Sequence, residues 1–174
     1  MAWQMKNSAG MQIERRPEPY LTEEMKQGFE ADLLPRYPTR RAATLPILHA
    51  IGDKYGWVPY QAIEEIAAFL GLQASEVGDT ASFYEMFHLA PKGKYLIQVC
   101  QSISCELTGH EGIMHAIEKK LNVGVGATTG DKKFTLIHVE CLGSCGTGPC
   151  CLINDKLHEN LTPEKMTKLL DDLA

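Results

Sequence analysis

The sequence predicts an α+β chain, with an all-helical first half and a second half of strands and helices. Apolar residues up to about position 85 recur at helical spacing, whereas beyond Pro91-Lys92-Gly93 the order becomes strand, helix, strand, strand, helix. A third observation marks where the chemistry lies. Four of the six cysteines fall in two spaced pairs, Cys100/Cys105 in VCQSISC and Cys141/Cys145 in ECLGSC. Each pair directly follows a strand-like run, KYLIQV or FTLIHVE. The expected organisation is an N-terminal arm over 1–20, a helical bundle over 21–91 and an α/β domain over 92–174.

The arm carries no periodic pattern, and Pro17 and Pro19 break it, so it is expected to be flexible. Thr22 opens the first helix, with Glu23 and Glu24 in the turn where the helix dipole favours acids. Met25, Phe29, Leu33 and Leu34 follow at helical spacing, and Pro35 and Pro38 end it. A second helix is expected from Arg40 to about Lys54, with Leu45, Leu48 and Ile51 on one face and Pro46 early enough to be tolerated. A third covers about 59–70, with Ile63, Ile66, Ala67 and Leu70 as its stripe and Gly71 as its stop. Ser75 is the expected cap of a fourth, which runs to Tyr84. Phe83, Tyr84, Phe87 and His88 form an aromatic cluster, which reads as core or packing groups with His88 structural. Arg36, Arg40 and Arg41 read as a solvated basic edge, with carboxylate contact as the minority reading.

In the second half, KYLIQV (94–99) reads as the first strand, and a helix is expected from Thr108 to about Leu121. NVGVGATTGDKK is a glycine-rich loop leading into the second strand. Residues 150–154 and about 156–158 read as a hairpin around Asn154-Asp155. Thr162-Pro163-Glu164 opens the last helix, with Met166, Leu169 and Leu170 on its apolar face. A small mixed sheet with two helices has the size of a thioredoxin-type unit.

Composition narrows the function. A net charge of −5 argues against a nucleic-acid binder. No run of about 18 apolar residues suggests a membrane span, and the N-terminal residues lack the apolar core of an export signal. Six cysteines without such a signal point to reduced thiols, where spaced cysteines more often serve metal or redox chemistry than disulfides.

A [2Fe–2S] cluster takes four thiolates, two per iron, and Cys-x4-Cys with Cys-x3-Cys supplies that division. Zinc is the rival, although its knuckles favour Cys-x2-Cys. Buried structural cysteines are the third reading. Gly143, Gly146 and Gly148 would let backbone N–H groups approach sulfur, or simply make a tight turn. Cys150 and Cys151 are adjacent in a strand, so at most one can face a cluster; core placement is preferred for both. A redox dithiol is disfavoured because Cys-x-x-Cys is absent. The glycine loop misses the dinucleotide fingerprint and precedes its strand, so no flavin or nicotinamide site is assigned to this chain.

Three segments carry a resemblance: YPTRRAATLPILHAIGDKYGWVP, ASFYEMFHLAPKGKYLIQVCQSISC and FTLIHVECLGSCGTGP. Over about 22–174 the chain closely resembles the family of E-type, or 24-kDa-type, [2Fe–2S] subunits of bacterial NADH:quinone oxidoreductases, the respiratory complex I enzymes. The resemblance implies a helical bundle followed by a thioredoxin-like ferredoxin domain. It maps the cluster ligands onto Cys100, Cys105, Cys141 and Cys145. It implies a flavin subunit of the F type as partner, binding FMN and NADH and carrying a [4Fe–4S] cluster. The whole would be peripheral to the cytoplasmic face of the inner membrane. A diaphorase subunit of a soluble NAD-linked hydrogenase or formate dehydrogenase would share this chemistry. The Cys150-Cys151 pair departs from the usual pattern of the family.

Overall fold

The computed structural model describes residues 15–173. The chain divides between Pro91 and Lys92 into two compact units.

The first unit is helical. Helix α1 (Glu23–Gly28) starts where expected, with Thr22 Oγ1 accepting the Met25 N–H at 3.3 Å. It then loosens into a π turn (Phe29–Leu33) and tightens into a 3₁₀ turn (Leu34–Arg36). Pro35 has no N–H to give the carbonyl four residues back, so a regular α-helix cannot continue there. The second helix begins later than Arg40. Residues Arg40–Ala43 form a 3₁₀ turn capped by Thr39, and α2 spans Thr44–Tyr55. Pro46 thereby falls in the first α turn, where its missing N–H costs nothing. Helix α3 (Tyr60–Leu70) follows Pro59 and stops at Gly71, whose φ of +72° a side chain would disfavour. The cap of α4 (Ala74–Phe83) is Gln73 rather than Ser75. Gln73 and Glu76 form a reciprocal box, Glu76 Oε2 accepting the Gln73 N–H at 3.0 Å.

Leu21, Ile47, Leu48, Ile51, Val58, Ile66, Val77 and Ala81 form the fully buried centre of this unit. Each large member contributes about 1.5–3 kcal/mol through removal from water. Residues 15–20, expected to be part of a free arm, are tied to α3. Arg15 pairs with Glu64 at 2.8 Å, the Arg16 N–H donates to Gln61 Oε1 at 3.0 Å, and the Arg16 guanidinium sits 3.6 Å over the Tyr20 ring. The remainder of the expected arm, 1–14, lies outside the described residues.

Two surface expectations change. Arg40 pairs with Glu30 at 2.8 Å and Arg41 with Glu76 at 3.0 Å, so these cations are held by carboxylates. Arg36 makes no ion pair among the described residues. Of the aromatic cluster only Phe87 is core, stacked edge-on to His49 at 4.9 Å, while Phe83 is 78 % exposed beside exposed Tyr84, Met86 and Leu89. The His88 carbonyl accepts the Val58 N–H at 2.8 Å.

The second unit is a four-stranded mixed sheet with helices. Strands β1 (Tyr95–Cys100), β2 (Phe134–Val139), β3 (Cys151–Ile153) and β4 (Lys156–His158) lie in the order β2-β1-β3-β4. β1 and β2 are parallel, and Cys100 pairs with Val139. β3 runs antiparallel to β1, with Cys151 opposite Val99. The helix expected from Thr108 is α6 (His110–Leu121), and a short unforeseen helix, α5 (Ile103–Leu107), precedes it, the two separated by Thr108 and Gly109. Helix α7 (Pro163–Leu173) opens as predicted, with Thr162 Oγ1 accepting the Lys165 N–H at 3.3 Å. Ile97, Val99, Ile113, Ile117, Leu136, Cys151, Met166 and Leu170 make the core. Truncating Ile117 to Ala would cost about 2–5 kcal/mol through the cavity left behind.

Candidate metal centre

The register of the sheet gathers the cysteines. Because β1 and β2 are parallel and end together at Cys100 and Val139, the loops that follow them leave from the same end of the sheet. β3, antiparallel to β1, enters at that end with Cys150 just before it.

Three sulfurs meet there. Cys100, Cys105 and Cys150 are all buried, and their Sγ atoms lie within 4.8 Å of one another. Cys105 Sγ is 3.7 Å from Cys150 Sγ. Together with half-buried Leu142 they form a separate small cluster, while Cys151 turns into the apolar core. The pair therefore splits to opposite faces as neighbours in a strand must. Of the four predicted ligands, the structure brings Cys100 and Cys105 together; Cys141 and Cys145 are exposed on the loop after β2 and are not in this group. The thiol that sequence reasoning placed in the core, Cys150, joins the group instead.

Backbone donors surround the sulfurs. Burial raises the Cys100 thiol, but N–H groups of Ser102 and Leu142 and the neighbouring Cys105 and Cys150 thiols outweigh it and hold Cys100 below the ordinary thiol range. Burial, then the hydrogen bond with Cys100, pushes Cys105 upward. Burial and Cys105 push Cys150 up to about 12. Cys100 is thus the thiolate that this environment favours as a metal ligand. In the second loop the Gly143 N–H points at Cys141 Sγ, 3.4 Å away. Ser144 and Thr147 hydroxyls both bond the Glu159 carboxylate, which pins the turn at Cys145–Thr147. Gly148 is required by proximity, since a Cβ there would lie 3.2 Å from Cys105 Sγ and 3.1 Å from Thr108 Oγ1. The expected approach of a glycine N–H to sulfur is seen at Gly143; Gly148 instead lies close against Cys105 Sγ, and Gly146 faces open space.

The donor set is chemically suited to an iron–sulfur cluster: soft thiolates, backbone N–H donors to sulfur, and a partly apolar wall. Residues 31–174 match the family model of the thioredoxin-like [2Fe-2S] ferredoxins. The chain belongs to that family.

Members and neighbours of the family refine the picture. The chain is 44 % identical to the E subunit of the NADH-quinone oxidoreductase of Rickettsia felis over 146 residues, which covers 82 % of this chain and 87 % of the relative. It is 42 % identical to the protein of the same name in Escherichia coli strain K12 over 135 residues, 78 % of this chain and 81 % of the relative. Among solved structures, it is similar to a chain of the NAD+-reducing [NiFe]-hydrogenase in its H2-reduced state, with TM-score 0.66 and 22 % identity. That likeness covers 75 % of this chain but only 22 % of the hydrogenase chain, and shows a shared fold. No helix among the described residues is long and apolar enough to cross a membrane.

Proposed function

We propose that this chain is the [2Fe–2S] electron-transfer subunit of an NADH:quinone oxidoreductase, with Cys100 and Cys105 on one iron and Cys141 and Cys145 on the other. The observation that carries the reading is 42–44 % identity, over about four fifths of the chain, to proteins named as the E subunit of such an oxidoreductase. In that role the bound cluster supplies a one-electron store. The chain's own residues fix its ligands: strand β1 sets Cys100, helix α5 sets Cys105, and backbone N–H groups of Ser102, Leu142 and Gly143 donate to sulfur. Such donors stabilise thiolate charge and raise the potential of the centre they surround.

A one-electron centre cannot take a hydride in one step, so a flavin must stand between NADH and this chain. The partner in this reading is the F-type subunit that binds FMN and NADH and carries a [4Fe–4S] cluster. The assembly is peripheral to the cytoplasmic face of the inner membrane. The exposed Phe83, Tyr84, Met86 and Leu89 give the helical unit an apolar edge suited to docking. A diaphorase subunit of a soluble hydrogenase is the second reading, supported by the shared fold alone. The chains that co-purify from the native source separate the two.

Anaerobically purified protein should carry about two irons and two sulfides per chain and, once reduced, the paramagnetic signal of a spin-half [2Fe–2S]⁺ centre. Isolated protein should not reduce ferricyanide with NADH, whereas the complex with the flavin subunit should. Stoichiometric zinc with no iron, after expression with ample iron, would sink the reading.

A further inference from the structure

Two histidines of the second unit, His110 on α6 and His138 on β2, take no part in the function proposed above. Their rings lie 5.7 Å apart, inclined at 76°. The hydrogen bonds around them determine which nitrogens carry protons. The Glu140 carboxylate can only accept, so the Gln101 side-chain N–H₂ donates to it at 2.8 Å. The Gln101 carbonyl oxygen then faces His138 Nδ1 at 2.6 Å and must itself accept. The proton of neutral His138 is therefore on Nδ1, and the lone pair is on Nε2. His110 is 7 % exposed, and its Nδ1 lies 2.8 Å from Glu106 Oε2. That contact is at charge-pairing distance but off the line of a hydrogen bond, and neither ring nitrogen of His110 has a hydrogen-bonding partner. A carboxylate beside Nδ1 draws the proton there, so His110 also keeps its lone pair on Nε2.

His138 has the arrangement of a metal-binding imidazole, and His110 comes near it with the Glu106 carboxylate beside Nδ1. In such imidazoles one nitrogen donates to a carboxylate or carbonyl, and the other is free to ligate. Two rings that share one ion have centroids roughly 5–6 Å apart at tetrahedral to trigonal angles, given zinc–nitrogen bonds of about 2.0–2.1 Å. Both histidines line a cavity of about 220 Å³ that Glu111, His115 and Glu118 also line. These three recur on one face of α6 and have no hydrogen bond or ion pair among the described residues, so their side chains are free to turn inward. A buried, unpartnered ring nitrogen is costly unless something satisfies it.

We propose that His110 and His138 are the two fixed ligands of a divalent transition-metal site of the zinc class, completed by a swinging donor from Glu111, His115 or Glu118 and by water. The ion would tie α6 to β2 beside the loops that carry the thiols. The site is all nitrogen and oxygen, and so differs in donor chemistry from the cysteine centre. It does not depend on the cluster reading.

The test uses the full-length protein with its cluster loaded, so that ligated thiols do not compete. After removal of loosely bound metal with a mild chelator, zinc is titrated by calorimetry, and the bound zinc is examined by X-ray absorption. About one zinc per chain is expected, with nitrogen and oxygen neighbours at about 2.0–2.1 Å and no sulfur at about 2.3 Å. His138→Gln and His110→Gln should each weaken binding at least tenfold while keeping the iron content and visible spectrum, which report a folded protein. If His110→Gln loses its iron through misfolding, exposed-side substitution of Glu111, His115 and Glu118 together supplies the second variant, with the same tenfold loss expected. Three results would overturn the site: no zinc bound at tens of micromolar, sulfur in its shell, or unchanged affinity in the variants. A protein that arrives without iron refutes the cluster reading instead; its six free thiols are then alkylated before the zinc titration, so that the zinc shell still reports on the histidines.

Discussion

The two cysteine pairs reach the same end of the sheet by different means. Cys100 closes the central strand β1 and Cys105 sits in α5, both almost wholly buried, with their sulfurs already side by side. Cys141 and Cys145 stand exposed on a loop held by the Gly143 N–H and by the bonds of Ser144 and Thr147 to Glu159. The first pair is placed by strand register and packing, which tolerate little displacement. The second is placed by polar contacts on a solvent-exposed turn, which open at low cost. In the proposed ligand set, a packed half, Cys100 and Cys105, would be joined by a loop half, Cys141 and Cys145.

The largest effect should separate holo from apo behaviour. Serine at Cys100, Cys105, Cys141 or Cys145 should each abolish or strongly perturb the cluster, because a hydroxyl is a poor soft-metal ligand at neutral pH. The same changes should diverge in the metal-free protein. Cys105→Ser leaves a hydroxyl in a buried site and should cost about 1–3 kcal/mol by urea unfolding. Cys141→Ser alters an exposed side chain and should stay within about 0.5 kcal/mol. Equal apo effects would erase the distinction between a packed pair and a loop pair.

The next comparison concerns Cys150, the thiol that shares the buried group. Cys150→Ser should retain iron, and Cys145→Ser should lose it. The reverse outcome would move the fourth ligand from the loop to Cys150, and would make the preformed sulfur triad the true half-site. Iron analysis of the two variants, purified side by side, decides between them.

These contrasts also show what the sequence can reveal. Helices α2, α3 and α7 are legible because their apolar residues repeat at helical spacing, and strands β1 and β2 because each is a short, nearly continuous apolar run, YLIQV and FTLIHV. Helix α5 is not, because five residues, ISCEL, are too short to display a period. The start of α2 is hidden because Thr39 caps a 3₁₀ turn before the α-helix begins. The splitting of Cys150 from Cys151 follows from strand alternation, but which of the two faces the thiols depends on the antiparallel pairing of Cys151 with Val99. The link from His110 to His138 has no local signal at all. It joins residues distant in the sequence and exists only because α6 packs beside β2.

A smaller effect is expected at Gly148. A methyl group there would press on Cys105 Sγ and Thr108 Oγ1 at 3.2 and 3.1 Å, so Gly148→Ala should cost about 1–3 kcal/mol and shift the visible spectrum of the cluster. Gly146 lies on the same loop with open space around it, and Gly146→Ala should leave the spectrum unchanged. A spectrum that moves equally in both would mean that the loop, rather than its approach to Cys105, matters.

The smallest effect concerns Cys151, the thiol in the apolar core, and appears only in alkali. Burial pushes it up to about 12 from the ordinary 9.0. Between those values the unfolded chain releases the proton and the folded chain keeps it. The folded state thus binds more protons, and stability must fall as pH rises through that window. One such group contributes a decline of up to about 1.4 kcal/mol for each pH unit above 9. Cys151→Val keeps an apolar group of similar size and removes the titration. Urea unfolding of the metal-free protein at pH 8, 9 and 10 should therefore show a steeper alkaline loss in the parent chain than in this variant. Parallel curves for the parent and Cys151→Val would mean that the core opens enough to let Cys151 ionise in place, and that the sheet end holding the thiols is looser than its packing indicates.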